Sequence, residues 1–219
     1  LRNDLDKTQR RAKVEELINE VGLDPAMTKR LPSQMSGGQL QRLSVARALA
    51  SEPDLIFLDE PTSALDVSIR GQIVNLLLER QQQRGVSYLL VAHDLRVVAV
   101  MADRVAVMYL GQFVEVSNKD QLFNHPLHPY TRGLIEAARL DDLGLNRETD
   151  SVRLSGELSE DDAKSVGCRL TPRCPFAESQ CHKPQQLIEL RSGQFVRCWK
   201  ALDIEGLPGH KESFSPSNA

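Results

Sequence analysis

The 219 residues are 41% hydrophobic, enough to bury the core of one domain and an appendage, and 27 basic against 30 acidic residues leave a formal charge of −3. That balance, with no basic stripe, excludes electrostatic capture of nucleic acid. The longest apolar runs, over 87–92 and 97–102, fall far short of the roughly 20 residues that span a bilayer, so any membrane association must go through a partner.

The first residue is Leu1 and nothing near it has the pattern of a signal peptide, so the chain reads as a fragment of something longer. Val14, Leu17, Ile18 and Val21 recur at helical spacing, which predicts an amphipathic helix over 12–22 closed by Gly22. A second helix is expected from Ser36-Gly37-Gly38-Gln39 to about Ser51, with Leu40, Leu43, Ala46 and Leu49 on one face. Leu55 to Leu58 is a short apolar run between Pro53-Asp54 and Asp59-Glu60, the pattern of a strand buried on both faces. A helix over 67–84, a strand over 87–92 and a helix over 95–102 then alternate as in a parallel α/β sheet. The runs 105–109 and 113–116 flank Leu110-Gly111-Gln112 and predict a hairpin with a three-residue loop. The acidic, aperiodic stretch 141–167 reads as a linker, and the Pro-, Gly- and Ser-rich end from Pro208 reads as disordered.

Polar residues at the strand ends carry the chemistry. Parallel sheets place ligands beyond their strand C-termini, and both apolar runs end there in ionisable pairs, Asp59-Glu60 and His93-Asp94. Of two adjacent carboxylates, one can coordinate Mg²⁺ through water while the other orients or deprotonates an attacking water. The bland alternative is a solvated acidic strand end. His93 at the same edge can hydrogen-bond a phosphate oxygen or that water. Ser36-Gly37-Gly38 opening a helix suits an anion, because glycines let backbone N–H groups approach and the helix N-terminus supplies a positive field. By itself such a stretch is more often an N-cap with a flexible lead-in.

All four cysteines, Cys168, Cys174, Cys181 and Cys198, fall in the last quarter as C-x5-C-x6-C-x16-C, while the cysteine-free remainder suits a reducing compartment. Four thiolates can hold zinc or an iron–sulfur cluster, and this spacing does not choose between them. Arg169, Arg173 and Arg197 could offset the charge of such a site or simply line a solvated surface.

In order, these motifs resemble the ATP-binding cassette (ABC) family. Met35 to Gln39 looks like its signature with Met in place of Leu, Leu55 to Glu60 like its Walker B strand, Ser63 to Asp66 like its D-loop and His93 like its switch histidine. The resemblance implies a partial P-loop NTPase fold of α/β class with part of the helical subdomain, followed by a small irregular cysteine-containing region. It implies that Asp59 holds Mg²⁺, Glu60 polarises the lytic water and His93 meets the γ-phosphate of ATP. Ser36, Gly37, Gly38 and Gln39 would close on nucleotide held by a second subunit, and Asp66 would link the two sites. No lysine follows a glycine anywhere, so the P-loop pattern is absent, as is the glutamine loop. Both are expected before Leu1, so Leu55 to Leu58 would lack some native neighbours, and these residues alone are expected to be inactive and, with strand edges unpaired and apolar faces uncovered, aggregation-prone.

His125-Pro126-Leu127-His128-Pro129-Tyr130-Thr131 and Ala64 to Arg70 are similar to segments of the oligopeptide and dipeptide permease ATPases, a branch whose cysteine-bearing tail implies a [4Fe–4S] cluster, with zinc as the alternative. The resemblance further implies an ATPase on the cytoplasmic face of the inner (plasma) membrane. Its partners would be a second ABC subunit, identical or not, two integral membrane permeases and, indirectly, an extracytoplasmic peptide-binding protein. Nucleic acid is not an expected partner. Rival readings are a non-transport ABC ATPase acting on DNA or ribosomes, a truncated subunit acting only in trans, and an importer of nickel or glutathione. The expected layout is a helical subdomain over 1–51, ATPase core over 52–140, linker over 141–167, metal-binding region over 168–200 and tail over 201–219.

Overall fold

The computed structural model describes residues 5–63, 65–138, 152, 154–157 and 159–205. Residues 141–151, 153 and 158 of the acidic stretch read as a linker, the end of the chain from residue 206 and Ala64 of the expected D-loop lie outside them. Two compact units divide the chain, one ending at His93 and the other beginning at Asp94.

In the first unit, α1 (Lys7–Glu20) starts earlier than the apolar spacing predicts. The reason is a capping box: the Asp6 carboxylate accepts from Thr8 N and Gln9 N at 2.7 and 2.8 Å, and Gln9 Oε1 accepts from Asp6 N at 2.9 Å. Leu17, Ile18 and Val21 are buried, and Gly22 turns the chain at φ 68°. The second helix, α2 (Gly37–Leu49), buries Val45, Ala46 and Leu49. Strands β1 (Leu55–Asp59) and β2 (Ser87–Val91) pair in parallel, Leu55 opposite Ser87, and α3 (Val67–Arg84) is the crossover between them. Ile73, Val74, Leu76 and Leu77 of α3 are buried, and Gly85 ends it in the left-handed region. Two contacts tie the helices: Arg42 Nη1 donates to Val21 O at 2.7 Å, and Arg84 pairs with Glu20 at 2.6 Å.

The expectation that β1 is buried on both faces fails. Ile56 and Leu58 are buried, but Leu55, Phe57, Leu89 and Val91 are 59, 59, 56 and 45% exposed. By the strand register these four share one face, which no described element covers.

The second unit opens with α4 (Leu95–Met101) and the hairpin β3 (Arg104–Tyr109) and β4 (Gln112–Asn118). Its loop has two residues rather than three: Tyr109 pairs with Gln112, and Leu110 and Gly111 both take positive φ, 47 and 79°. That is the twist-matched form of a two-residue hairpin turn. Helices α5 (Lys119–Asn124) and α6 (Pro129–Ala137) follow. The region expected to be irregular contributes β5 (Ile188–Arg191) and β6 (Gln194–Val196), which extend the hairpin into an antiparallel sheet of order β3-β4-β6-β5. A short helix, α7 (Ala201–Glu205), ends the described chain.

Val107, Tyr109, Val114, Leu122 and Leu170 form one core cluster, with Cys168 and Cys174 against it, and Leu127, Val196 and Ala201 form another with Cys198. Within the acidic stretch Val152 is buried and its N–H donates to the Glu136 carboxylate at 2.7 Å, so this part is packed rather than free. Among the described residues no helix is long and apolar enough to cross a membrane.

Candidate functional site

Asp59 ends β1 and Glu60 follows it, both exposed. Glu60 N donates to Val91 O of the neighbouring strand at 2.9 Å, while Glu60 O accepts from Ser63 N at 3.3 Å and from the Ser63 hydroxyl at 3.1 Å. Held this way, Glu60 has φ 44°, a left-handed backbone that non-glycine residues seldom adopt. Its Oε1 lies 3.3 Å from His93 Nδ1, just past the end of β2. Expected at one sheet edge, the two side chains do meet there. Both remain open to water, 46% exposed for Glu60 and 66% for His93, so a ligand can reach them.

Ser36 is the N-cap of α2. Its Oγ accepts from Gln39 N at 3.3 Å and Gln39 Oε1 accepts from Ser36 N at 3.0 Å. With its oxygen accepting from the backbone, the hydroxyl proton is left to donate outward. The two glycines differ in what they do. A Cβ on Gly37 would only touch Leu65 at 3.8 Å, whereas one on Gly38 would lie 2.7 Å from Ile69 Cγ2. Gly38 therefore permits the close approach of α2 and α3, a packing role beside the phosphate role read from the sequence. Asp66 is at the N-cap position of α3, exposed, with no side-chain bond to the helix's first turn. It follows Leu65, so the expected D-loop borders the expected signature.

In the second unit, Cys168, Cys174, Cys181 and Cys198 line one pocket together with His128, Leu170, Phe176, Trp199 and Lys200. Gly167 makes the fold of this segment possible, since a Cβ there would overlap the Cys181 carbonyl oxygen. Cys168 N donates to that same oxygen at 2.8 Å, and Trp199 Nε1 donates to Cys181 Sγ at 3.3 Å. Burial raises the Cys168 thiol and pushes Cys174 up to about 11 and Cys198 up to about 12, with the nearness of the other sulfurs adding to it. These thiols are neutral near pH 7. Among the described residues no three His, Cys, Asp or Glu side chains are arranged to hold a metal ion. The number and chemistry of the donors fit a metal, which must displace the thiol protons and draw the sulfurs in.

The arginines expected beside this site do something else. Arg169 donates to Leu110 O and Arg173 reaches the Tyr109 hydroxyl at 3.5 Å, while Arg197 donates to Phe113 O at 2.9 Å and Gln185 O at 2.6 Å. Arg169 and Arg197 fasten the cysteine segment to the hairpin through backbone carbonyls, and Arg173 does so through the Tyr109 hydroxyl.

The sequence reading missed Glu115 of β4, which is completely buried. Its Oε1 accepts from Leu127 N at 2.9 Å and from Gln194 Nε2 at 2.9 Å, and its Oε2 accepts from His128 N at 2.8 Å. Burial raises its pKa, opposed by those N–H donors. The carboxylate is the anchor on which the His-Pro-Leu-His-Pro segment is folded. A glutamate between Val114 and Val116 in a strand was the available signal.

The family model for ABC transporters matches residues 2–63, and that for the oligopeptide/dipeptide transporter C-terminal region matches residues 114–181. The probable D,D-dipeptide transport ATP-binding protein of Escherichia coli is 46% identical over 89% of this chain and 62% of its own length. The oligopeptide transport ATP-binding protein of the same organism is 43% identical over 90% of this chain and 59% of its own. The chain thus spans about three fifths of the length of these relatives. A dimeric ATP-binding cassette in a post-hydrolysis state with ADP and Pi aligns at 30% identity over 54% of this chain and 51% of its own, with a TM-score of 0.49.

Proposed function

Because the chain belongs to the ABC transporter ATP-binding family, in its oligopeptide/dipeptide branch, we propose that it forms part of an ATP-hydrolysing subunit that drives import of peptides. The observation that carries this reading is the Glu60–His93 pair, two ionisable side chains 3.3 Å apart beyond the ends of parallel strands.

On this reading Glu60 takes a proton from the water that attacks the terminal phosphate, and His93 hydrogen-bonds the phosphate being transferred. Asp59, an exposed carboxylate one residue before the base, suits Mg²⁺, which when bound neutralises charge developing on the phosphates. The Ser36 hydroxyl and the N–H groups of Gly37, Gly38 and Gln39 offer donors at a helix start, and they would act on nucleotide held by a second subunit. Asp66, bordering that helix start, would pass the state of one site to the other.

The partners on this reading are a second ABC subunit and two integral membrane permeases, at the cytoplasmic face of the membrane. Affinity purification of the subunit from detergent-solubilised membranes is expected to recover two integral membrane proteins. Recovery of ribosomes or DNA in their place would overturn the transport reading.

We further propose that Cys168, Cys174, Cys181 and Cys198 hold a [4Fe–4S] cluster, supported by their sharing one pocket. Such a cluster would cross-link the segment. ATP hydrolysis needs no electron from it, so a structural or sensing role follows. Anaerobic purification is expected to give coloured protein with about four irons per chain. Colourless protein holding one zinc would replace the cluster with a zinc site.

A further inference from the structure

His128 is almost wholly buried, 1% exposed, at the N-cap of α6. Its Nδ1 accepts the Tyr130 N–H at 3.1 Å. A ring nitrogen that accepts carries no proton, so this hydrogen bond assigns the proton of the neutral imidazole to Nε2. The Nε2–H is buried and has no hydrogen-bond partner among the described residues. An orphaned buried donor is uncommon in a folded protein and calls for a partner. One wall of the ring's surroundings is the pocket bordered by all four cysteines.

We propose that His128 Nε2–H donates a hydrogen bond to sulfur of the metal–thiolate group held by Cys168, Cys174, Cys181 and Cys198, which makes His128 a positioning residue for that group. The inference rests on the reading that these cysteines hold a metal. It assigns the ring as donor and not as ligand: a ligating Nε2 needs its lone pair, which would move the proton to Nδ1 and set it against the Tyr130 N–H. A neutral N–H directed at thiolate sulfur spreads the site's negative charge without adding a positive ion to a buried place. Trp199 Nε1–H on Cys181 Sγ is a second donor of this kind, already in place at 3.3 Å. The two histidines of the His-Pro-Leu-His-Pro segment thereby part in function. His125 lends its carbonyl to Gln194 Nε2 at 2.8 Å, and His128 lines the pocket that the four cysteines share.

Two substitutions separate the donor from the cap. In His128→Asn the amide oxygen can replace Nδ1 as acceptor for Tyr130 N–H, but the side chain is too short to reach where Nε2 was. In His128→Gln the amide nitrogen reaches that place while the cap is weakened. Anaerobic titration of the metal-free full chain with Co²⁺ alone, read by the sulfur-to-cobalt charge-transfer band, gives the affinity of the thiolate site. Thermal unfolding of the metal-free proteins gives the cap contribution. The expected result is a loss of Co²⁺ affinity of about 10- to 100-fold for His128→Asn, with His128→Gln retaining the parent's affinity. The unfolding temperatures are expected in the opposite order. Parental affinity in His128→Asn, or equal losses in both variants, would overturn the donor role while leaving the cysteine site standing. A parent chain that binds no Co²⁺ and also purifies anaerobically without iron or zinc would remove the cysteine site and the inference together.

Discussion

Glu60→Gln is expected to leave ATP bound to the complete subunit while slowing its hydrolysis by about 10²- to 10⁴-fold, the usual worth of a positioned general base. The substitution keeps the side chain's length and its ability to hydrogen-bond His93 Nδ1, which lies 3.3 Å from the carboxylate. It removes only the capacity to take a proton. If Glu60 served merely to orient His93, the amide would do nearly as well and the rate would fall little. Steady-state phosphate release and the amount of ATP retained on the protein, measured on the same preparations, decide the matter. Hydrolysis at the parent rate would dismiss Glu60 as the base. Binding lost along with hydrolysis would mean that the carboxylate holds nucleotide instead.

Glu115→Gln is expected to be among the most destabilising single-atom changes in the second unit, costing about 2–4 kcal/mol against a total folding stability of about 5–15 kcal/mol. Both carboxylate oxygens accept: Oε1 from Leu127 N and Gln194 Nε2, Oε2 from His128 N. Whichever oxygen becomes an NH₂ group, a donor then confronts a donor in a place closed to water. The chain's one tryptophan, Trp199, lies in this unit, so its fluorescence through a urea transition reports the loss.

Acid adds a second readout. Burial raises the Glu115 pKa above its ordinary 4.5, so the folded protein binds that proton more tightly than the unfolded chain. Its contribution is therefore complete below the unfolded value and is lost as pH rises through the folded one. On acidification from neutral pH toward the unfolded value, the parent gains stability from this group and Glu115→Gln does not. The gap between the two should widen as pH falls. A gap independent of pH would mean that Glu115 is not titrating in the folded state.

Features that depend on local chain chemistry were legible in the sequence. The crossover helix runs from Val67 to Arg84 as read from the sequence, and Glu60 meets His93 because two apolar runs end in polar residues at one edge. Features that depend on what lies opposite were not. An all-apolar strand looks the same whether one or both faces are covered, so the exposure of Leu55 and Phe57 has no signature in Leu-Ile-Phe-Leu. Strand β6 is three residues long and carries Gln194, a side chain that reads as solvated until the Glu115 carboxylate is known to wait for it. Leu110 at positive φ gives no warning either, since only Gly111 beside it announces a turn.

Glu60's backbone has a consequence of another kind. At φ 44° a glycine would be more comfortable there by about 1 kcal/mol, so Glu60→Gly is a change that any selection for heat resistance alone would favour. The same change deletes the carboxylate. On the proposed role of Glu60, stability and turnover would compete at a single residue, and a thermally hardened variant of this unit that has drifted to glycine at position 60 would be a well-folded protein without its proposed base.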